Sequence, residues 1–316
     1  MTDTFEQRPS LSAEWSGRDD GPGSEHARWH SAIKPFGTDD TAGVALLGFA
    51  SDEGVRRNGG RVGASEGPAA IRSALASLAI HHEAPLYDAG TVTVCGADLE
   101  SGHDELSSRV RELVESGHLV IVLGGGHETA FGTHRGLLQT GPATVAIVNF
   151  DAHFDLRRDD RATSGTPFRQ IADLRASDFN YTVMGISRPN NTRALFDTAE
   201  DLKVGIVTDK ELTAMSPAEC ARLAVEATAD HDIIHLSIDL DVLPAAVAPG
   251  VSAPAALGVE LTRILAMASA LASTGKLRLV DIVELNPRYD NDERTAKVAA
   301  RIIEEIVSSS QHSKRT

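Results

Sequence analysis

Cysteine is nearly absent from this 316-residue chain. Cys95 and Cys220 are the two present, too few for a disulfide framework or a thiolate metal site, and both read as small core residues. Basic residues are scarce beside acidic ones, 30 Lys+Arg against 45 Asp+Glu, and the formal net charge of −15 speaks against nucleic-acid or anionic-membrane partners. No apolar run approaches the roughly 20 residues of a membrane span, and the opening MTDTFEQRPS lacks the apolar core of a secretory signal. These absences lead to the expectation of a cytoplasmic protein. What is present is ordinary for a folded chain: 41% hydrophobic residues, enough for a sizeable core and against disorder.

Residues 1–40 are polar, rich in Gly, Ser, Asp and Glu, and lack apolar periodicity. They read as a loosely ordered N-terminal arm, with Trp15 and Trp29 as its candidate anchors. From 41 to 316 no composition break marks a linker, so a single domain is expected. Strands are expected at 44–49, 86–94, 118–126, 144–150, 180–186, 202–207, 232–238 and 276–285. Helices are expected at 67–80, 104–117, 129–138, 216–229, 260–273 and 295–309. Apolar runs of five to seven residues that do not alternate suit a parallel sheet covered on both faces. Their regular alternation with helices implies βαβ units and a three-layer αβα sandwich with a mainly parallel sheet.

Open α/β sheets bind ligands outside the carboxyl ends of their strands. Three segments bring metal-ligand side chains there. In Asp151-Ala152-His153-Phe154-Asp155, alternate side chains share a face, so the two aspartates and the histidine can converge while Ala152 and Phe154 turn into packing. In Ser237-Ile238-Asp239-Leu240-Asp241 the aspartates again share a face. In Gly124-Gly125-Gly126-His127-Glu128 the glycines permit a sharp bend that aims His127 into the same crevice. Any one such motif is ordinarily a solvated turn or a satisfied core group; three at separate strand ends are harder to dismiss. Four aspartates crowded together repel unless cations intervene. Two divalent ions would neutralise them and lower the pKa of a shared water, so that hydroxide is available near neutral pH. Oxygen-rich ligation with imidazole and no thiolate favours Mn²⁺ over structural zinc.

These three motifs resemble the signatures of the ureohydrolase (arginase and agmatinase) superfamily across nearly all of 43–309. The segments DEGVRRNGGRVGASEGPAAIR (52–72), Ser164-Gly165-Thr166-Pro167-Phe168-Arg169-Gln170 and Asn190-Asn191-Thr192 are most similar to its formimidoylglutamase branch. Arginases and agmatinases carry a His-Gly-x-Pro segment where this chain has Ser164-Gly165-Thr166-Pro167. The missing histidine weakens the arginase reading and leaves the proton donor to the leaving amine unidentified. The resemblance implies two Mn²⁺ per subunit held by His127, Asp151, His153, Asp155, Asp239 and Asp241, and an oligomer of identical subunits. It implies hydrolysis of N-formimidoyl-L-glutamate to L-glutamate and formamide, a step of histidine degradation, by hydroxide formed between the metals.

The substrate class is a small amidine, cationic at neutral pH and planar at the reacting carbon. Glu284 matches the family glutamate that clamps cationic N–H groups, where charge-assisted hydrogen bonds fix the carbon for attack. Asp155 is also a candidate proton carrier to the leaving nitrogen. Arg57, Asn58, Arg157, Arg188 and Asn191 are candidates for the substrate carboxylates, with Arg56 beside them, since arginine is the best bidentate donor. Arg outnumbers Lys 24 to 6, so an arginine near a motif carries little weight by itself. His134, two helical turns beyond His127, and His81, His82 and His235 read as structural. Two other readings are a guanidine hydrolase of guanidinobutyrase or agmatinase type, releasing urea, and a non-catalytic metal-binding paralogue.

Overall fold

Each non-alternating apolar run becomes a strand because both of its faces are covered. Val44 and Leu46 pack into one core layer, while the intervening Ala45, Leu47 and Phe49 pack into the layer on the other side. The computed structural model describes residues 11–37, 40–141, 143–175 and 178–311. Its strands are β1 (Lys34–Pro35), β2 (Val44–Ala50), β3 (Leu86–Thr93), β4 (Leu119–Leu123), β5 (Val145–Phe150), β6 (Asn180–Ile186), β7 (Gly205–Thr208), β8 (Ile233–Asp239) and β9 (Leu277–Val283). All nine join one sheet in the order β1-β3-β2-β4-β9-β8-β5-β6-β7, and every pairing is parallel.

Helices cover both faces. Gly67–Ala76, Pro217–Glu226, Leu261–Ser273 and Arg294–Ser310 bury their apolar sides in the first layer. Leu99–Glu115, Thr129–Leu138, Pro167–Leu174 and Arg193–Asp201 supply the opposite side. The expected three-layer αβα sandwich is the architecture found. One helix begins five residues before the expected 104, because Asp98 caps it by accepting from the Ser101 N–H at 3.1 Å. The short helices Glu53–Arg57, Pro167–Leu174, Arg193–Asp201 and Asp209–Ala214 have no counterpart in the sequence reading. Pieces of five to nine residues give too little periodicity to stand out.

One expectation is sharpened and one corrected. Of the N-terminal arm, residues 1–10, 38 and 39 lie outside the described residues, and the rest is pinned at the two anchors expected, Trp15 and Trp29. Trp29 and Ile33 are buried, Trp15 is nearly so, and the two indoles stack at 6.5 Å. Trp15 Nε1 donates to Asp88 at 2.6 Å and Trp29 Nε1 to Glu304 at 2.6 Å. Asp88 also receives Arg72 in a bidentate pair at 3.1 and 2.9 Å. A few well-placed aromatic groups thus anchor a segment whose overall composition is polar. Cys95 is exposed rather than a core residue, while Cys220 is buried.

The sheet order decides where chemistry can gather. β4, β9, β8 and β5 lie side by side at the centre, and being parallel they open their carboxyl ends on one edge. The three motifs and Glu284 follow those four strands. No helix among the described residues is long and apolar enough to cross a membrane.

Candidate metal centre

After β4 the chain turns through Gly124–Gly126. A Cβ on Gly125 would sit 1.8 Å from the Ser51 carbonyl oxygen, so no other residue fits at that approach. The turn sends His127 beneath the ends of β5 and β8. Its Nδ1 lies 3.1 Å from Asp151 Oδ2, 2.9 Å from Asp155 Oδ2 and 3.1 Å from Asp239 Oδ2. Beside it, His153 Nδ1 lies 3.0 Å from Asp241 Oδ2 and 3.5 Å from Asp151 Oδ1. The donors form two sets, His127–Asp151–Asp155–Asp239 and Asp151–His153–Asp241, and within each set the donor atoms lie within 4.8 Å of one another. Asp151 belongs to both, one oxygen turned to each.

Neighbouring groups hold the carboxylates in place. Asp151 Oδ2 accepts from Asn149 Nδ2 at 3.0 Å and Oδ1 from the His153 N–H at 2.6 Å. Asp239 Oδ1 accepts from the Asp241 N–H at 2.8 Å. Ala152 and Phe154 are buried in packing, which leaves the alternate positions facing the cluster. Asp155 and Glu284 have φ of 50° and 68°, a left-handed backbone that side-chain-bearing residues seldom adopt.

The cluster draws positive charge to itself. Burial disfavours a charged His153, yet Asp241 and Asp151 outweigh it and raise its pKa to about 12. Burial likewise opposes a charge on His127, and Asp151, Asp155 and Asp239 still lift it well above the ordinary value. Burial, with repulsion from Asp241 and Asp151, pushes the Asp239 carboxyl well up. His127 Nδ1 and Asp241 Oδ1 are buried with no hydrogen-bond partner among the described residues, as suits groups able to hold a cation. Two imidazoles and four carboxylates without thiolate suit hard divalent ions such as Mn²⁺; the residues present fit a dinuclear centre.

Above the two sets opens a cavity of about 290 Å³, lined among others by Asn58, Arg61, His153, Asp155, Arg157, Ser164 and Glu284. Glu284 accepts from the His127 N–H at 2.9 Å. Burial first, and then the nearby Glu128 carboxylate, push its pKa up to about 8. Glu128, itself raised by burial to about 7, accepts from Ser51 Oγ at 2.7 Å and the Gly54 N–H at 3.0 Å. A larger hollow of about 620 Å³ lies at the amino ends of β6 and β7, and none of the ligand side chains lines it.

The substrate-binding candidates divide. Asn58 and Arg157 reach the cavity, and Asn58 Nδ2 donates to Ser164 Oγ at 3.1 Å. Arg57 does not line it, and this candidate is corrected. Its guanidinium is consumed by Glu53, Glu100 and the Ala162 and Ala97 carbonyls at 2.7–3.0 Å. Arg56 is paired with Glu53 at 2.6 Å. Arg188 also falls outside; it lies over the Phe196 ring at 5.0 Å. Asn191 is a brace, not a cavity residue: it accepts from the Phe154 N–H at 3.2 Å and donates to Ala152 and Ser187 carbonyls at 2.9 and 3.0 Å. Arg61, which motif reading passed over, stands at the rim with its guanidinium on the Ser252 and Val251 carbonyls and over Tyr289. Asp281 and Ser237, behind His127, were also missed. The available signal was a lone carboxylate inside the buried run Leu279–Val283, which demands a partner.

The fold, with its candidate ligand sets at the carboxyl ends of three central parallel strands, belongs to a known class: the arginase family model matches residues 42–308, and the chain is a member of that family. Similar relatives within it include formimidoylglutamases. The chain is 52% identical over 294 residues to a formimidoylglutamase of Corynebacterium efficiens, covering 92% of this chain and 93% of that protein. It is 49% identical to one from Rhodococcus opacus over 302 residues, covering 93% and 94%. The crystal structure of Trypanosoma cruzi formiminoglutamase with Mn²⁺₂ superposes with a TM-score of 0.78 at 30% identity, covering 85% of this chain and 93% of that one.

Proposed function

We propose that this protein hydrolyses N-formimidoyl-L-glutamate to L-glutamate and formamide, as a step of histidine degradation, with two Mn²⁺ per subunit. The observation that carries the reading is the pair of ligand sets sharing Asp151 on the floor of a cavity walled by Glu284 and edged by Arg157. Relatives near 50% identity bear the name formimidoylglutamase, which supports this substrate over a guanidine. His127, Asp151, Asp155 and Asp239 would hold one ion, and Asp151, His153 and Asp241 the other. When bound, the ions supply charge for the carboxylates and an activated water.

The residues of the chain supply orientation and proton handling. Glu284 accepts the N–H groups of the cationic amidinium and holds the planar carbon over the two ligand sets. Asp155 takes a proton from the attacking water and delivers it to the glutamate nitrogen as the C–N bond breaks. The carbon leaves with the new oxygen and its terminal nitrogen as formamide. Arg157 and Asn58, at the mouth, meet the carboxylates of the glutamate portion. The working setting is the cytoplasm, with several identical subunits assembled.

Turnover by the purified, Mn-loaded protein tests the reading. Formamide and glutamate released from formimidoylglutamate, with no urea from agmatine, arginine or guanidinobutyrate, is the expected result. Urea release with formimidoylglutamate untouched overturns it.

A further inference from the structure

Behind His127 lies a buried polar chain that the proposed reaction does not use. Ser237 and His235 sit two residues apart on β8, and so share a face; Ser237 is in register with Asp281 of β9. All three are fully buried. Asp281 Oδ1 accepts from Ser237 Oγ; Oδ2 accepts from His235 Nε2 at 2.6 Å and Thr133 Oγ1 at 2.8 Å. His235 Nδ1 meets His134 Nδ1 at 3.1 Å, with the two rings stacked. At the other end, Ser237 Oγ is 3.0 Å from His127 Nε2.

Hydrogen accounting gives this chain a direction. An ionised carboxylate only accepts, and a serine hydroxyl has one hydrogen to give. Ser237 is the donor on Asp281 Oδ1, while His235 and Thr133 lie on Oδ2, so the hydrogen of Ser237 is committed to Oδ1. Ser237 can then only accept from His127, and His127 must carry hydrogen on Nε2. Nδ1 is then the nitrogen turned to Asp151, Asp155 and Asp239 and the one that can ligate. A ring nitrogen oriented in this way is a better ligand, because the ring angle and the Nε2–H bond are set before the ion arrives.

We infer that Asp281 is a positioning residue for the metal centre: acting through Ser237, and anchored by His235, Thr133 and His134, it fixes the His127 tautomer that ligates. The inference rests on the reading of His127 as a metal ligand. It extends to the His127 set alone. His153, with about a quarter of its side chain exposed, has its ligating nitrogen among carboxylates and takes no part in the chain behind His127.

Asp281→Asn keeps the shape but replaces an acceptor with an amide that donates, which frees the Ser237 hydrogen to turn toward His127. Mn²⁺ titration by calorimetry, with circular dichroism to verify the fold, reads the effect without recourse to activity. The expected result is about 10- to 100-fold weaker binding at one of two sites, with the other unchanged. Ser237→Ala should weaken the same site. The double variant should lose no more than the stronger single one, since both interrupt one line. Wild-type affinity at both sites in Asp281→Asn overturns the inference, as do losses that simply add. Should Asp281→Asn not fold, Ser237→Ala decides alone, by the same loss at one site or by its absence. Wild-type protein that takes up no Mn²⁺ overturns the metal reading itself, a different and separable failure.

Discussion

The two ligand sets share Asp151 but are built differently. The His127 imidazole is fully buried and a polar chain stands behind it, while Asp155 and Asp239 of its set reach the cavity. The His153 set opens on the cavity, where the ring is partly exposed and has Asp241 and one oxygen of Asp151 for company. The His127 position is thus the inner one and the His153 position the outer, a distinction that substitutions can test. Asp155 and Glu284, both with left-handed backbone, line the open side.

The largest effect is expected where the sets meet. Asp151→Asn removes a charge from both, and should abolish high-affinity Mn²⁺ uptake and lower kcat/KM by about 10³-fold or more. Retention of two tightly bound ions would break the idea of a shared carboxylate.

Next comes a direct contrast. His127→Asn should lower both the affinity at the inner site and the Mn²⁺-dependent rise in Tm, since ion binding to the native state alone raises stability by mass action. His153→Asn should lower turnover while keeping most of that rise. Equal losses of Tm in the two variants, measured by scanning calorimetry with and without Mn²⁺, would remove the inner-versus-outer distinction.

Glu284→Gln sharpens the comparison by altering the cavity wall and neither ligand set. Both ions should still bind, while kcat/KM falls by about 10²- to 10³-fold from loss of the charge facing the amidinium. An equal fall in Mn²⁺ affinity would mean that Glu284 belongs to the metal centre.

The same inside–outside contrast separates two arginines. Arg157→Ala should raise KM about tenfold and change stability by less than about 0.5 kcal/mol. Arg57→Ala should destabilise by about 2 kcal/mol, because it strips charged hydrogen bonds from buried Glu53. That deficit should depend on pH. Hydrogen bonding to Arg56, against the opposing effect of burial and with help from Arg57, holds Glu53 at about 2; Glu100 is held at about 2 chiefly by Arg57. Carboxyls depressed in the folded state stabilise it above their ordinary pKa and lose that contribution as pH falls toward 2. The Tm gap between Arg57→Ala and wild type should therefore narrow from pH 6 to pH 3. A constant gap would show that Arg57 acts through packing alone.

Much of this plan is legible in the sequence, for a physical reason. Strands covered on both faces are written as unbroken apolar runs, and ligands placed just past their ends are local in the chain. The candidate metal ligands could be proposed together without knowing the strand order. The order itself, with β8 and β9 at the centre, is not local information. Nor is the choice between Arg57 and Arg157: it turns on Glu100, 43 residues from Arg57, and on the path of the cavity. β1 escaped notice because two residues carry no period, and so did Asp88 as the partner of the anchor Trp15, because it lies 73 residues away. Asp281 was visible as an oddity in an apolar strand, but what it does could be read only through Ser237.

The strand order also has a consequence for the growing chain. β4 and β5 follow one another in sequence yet are separated in the sheet by β8 and β9, which are synthesised last. Until residues 233–283 emerge, the strands already made form two groups, β1 to β4 and β5 to β7, each with an unpaired inner edge of the kind that invites pairing with other chains. Asp239 and Asp241 arrive at the end of β8, which together with β9 joins those groups, so the candidate ion sites are finished in the same event that closes the sheet. Contacts of such long sequence separation form slowly. A chain stopped before β9 is therefore two half-sheets in search of an edge, and the two candidate ligand sets are complete only after that danger has passed.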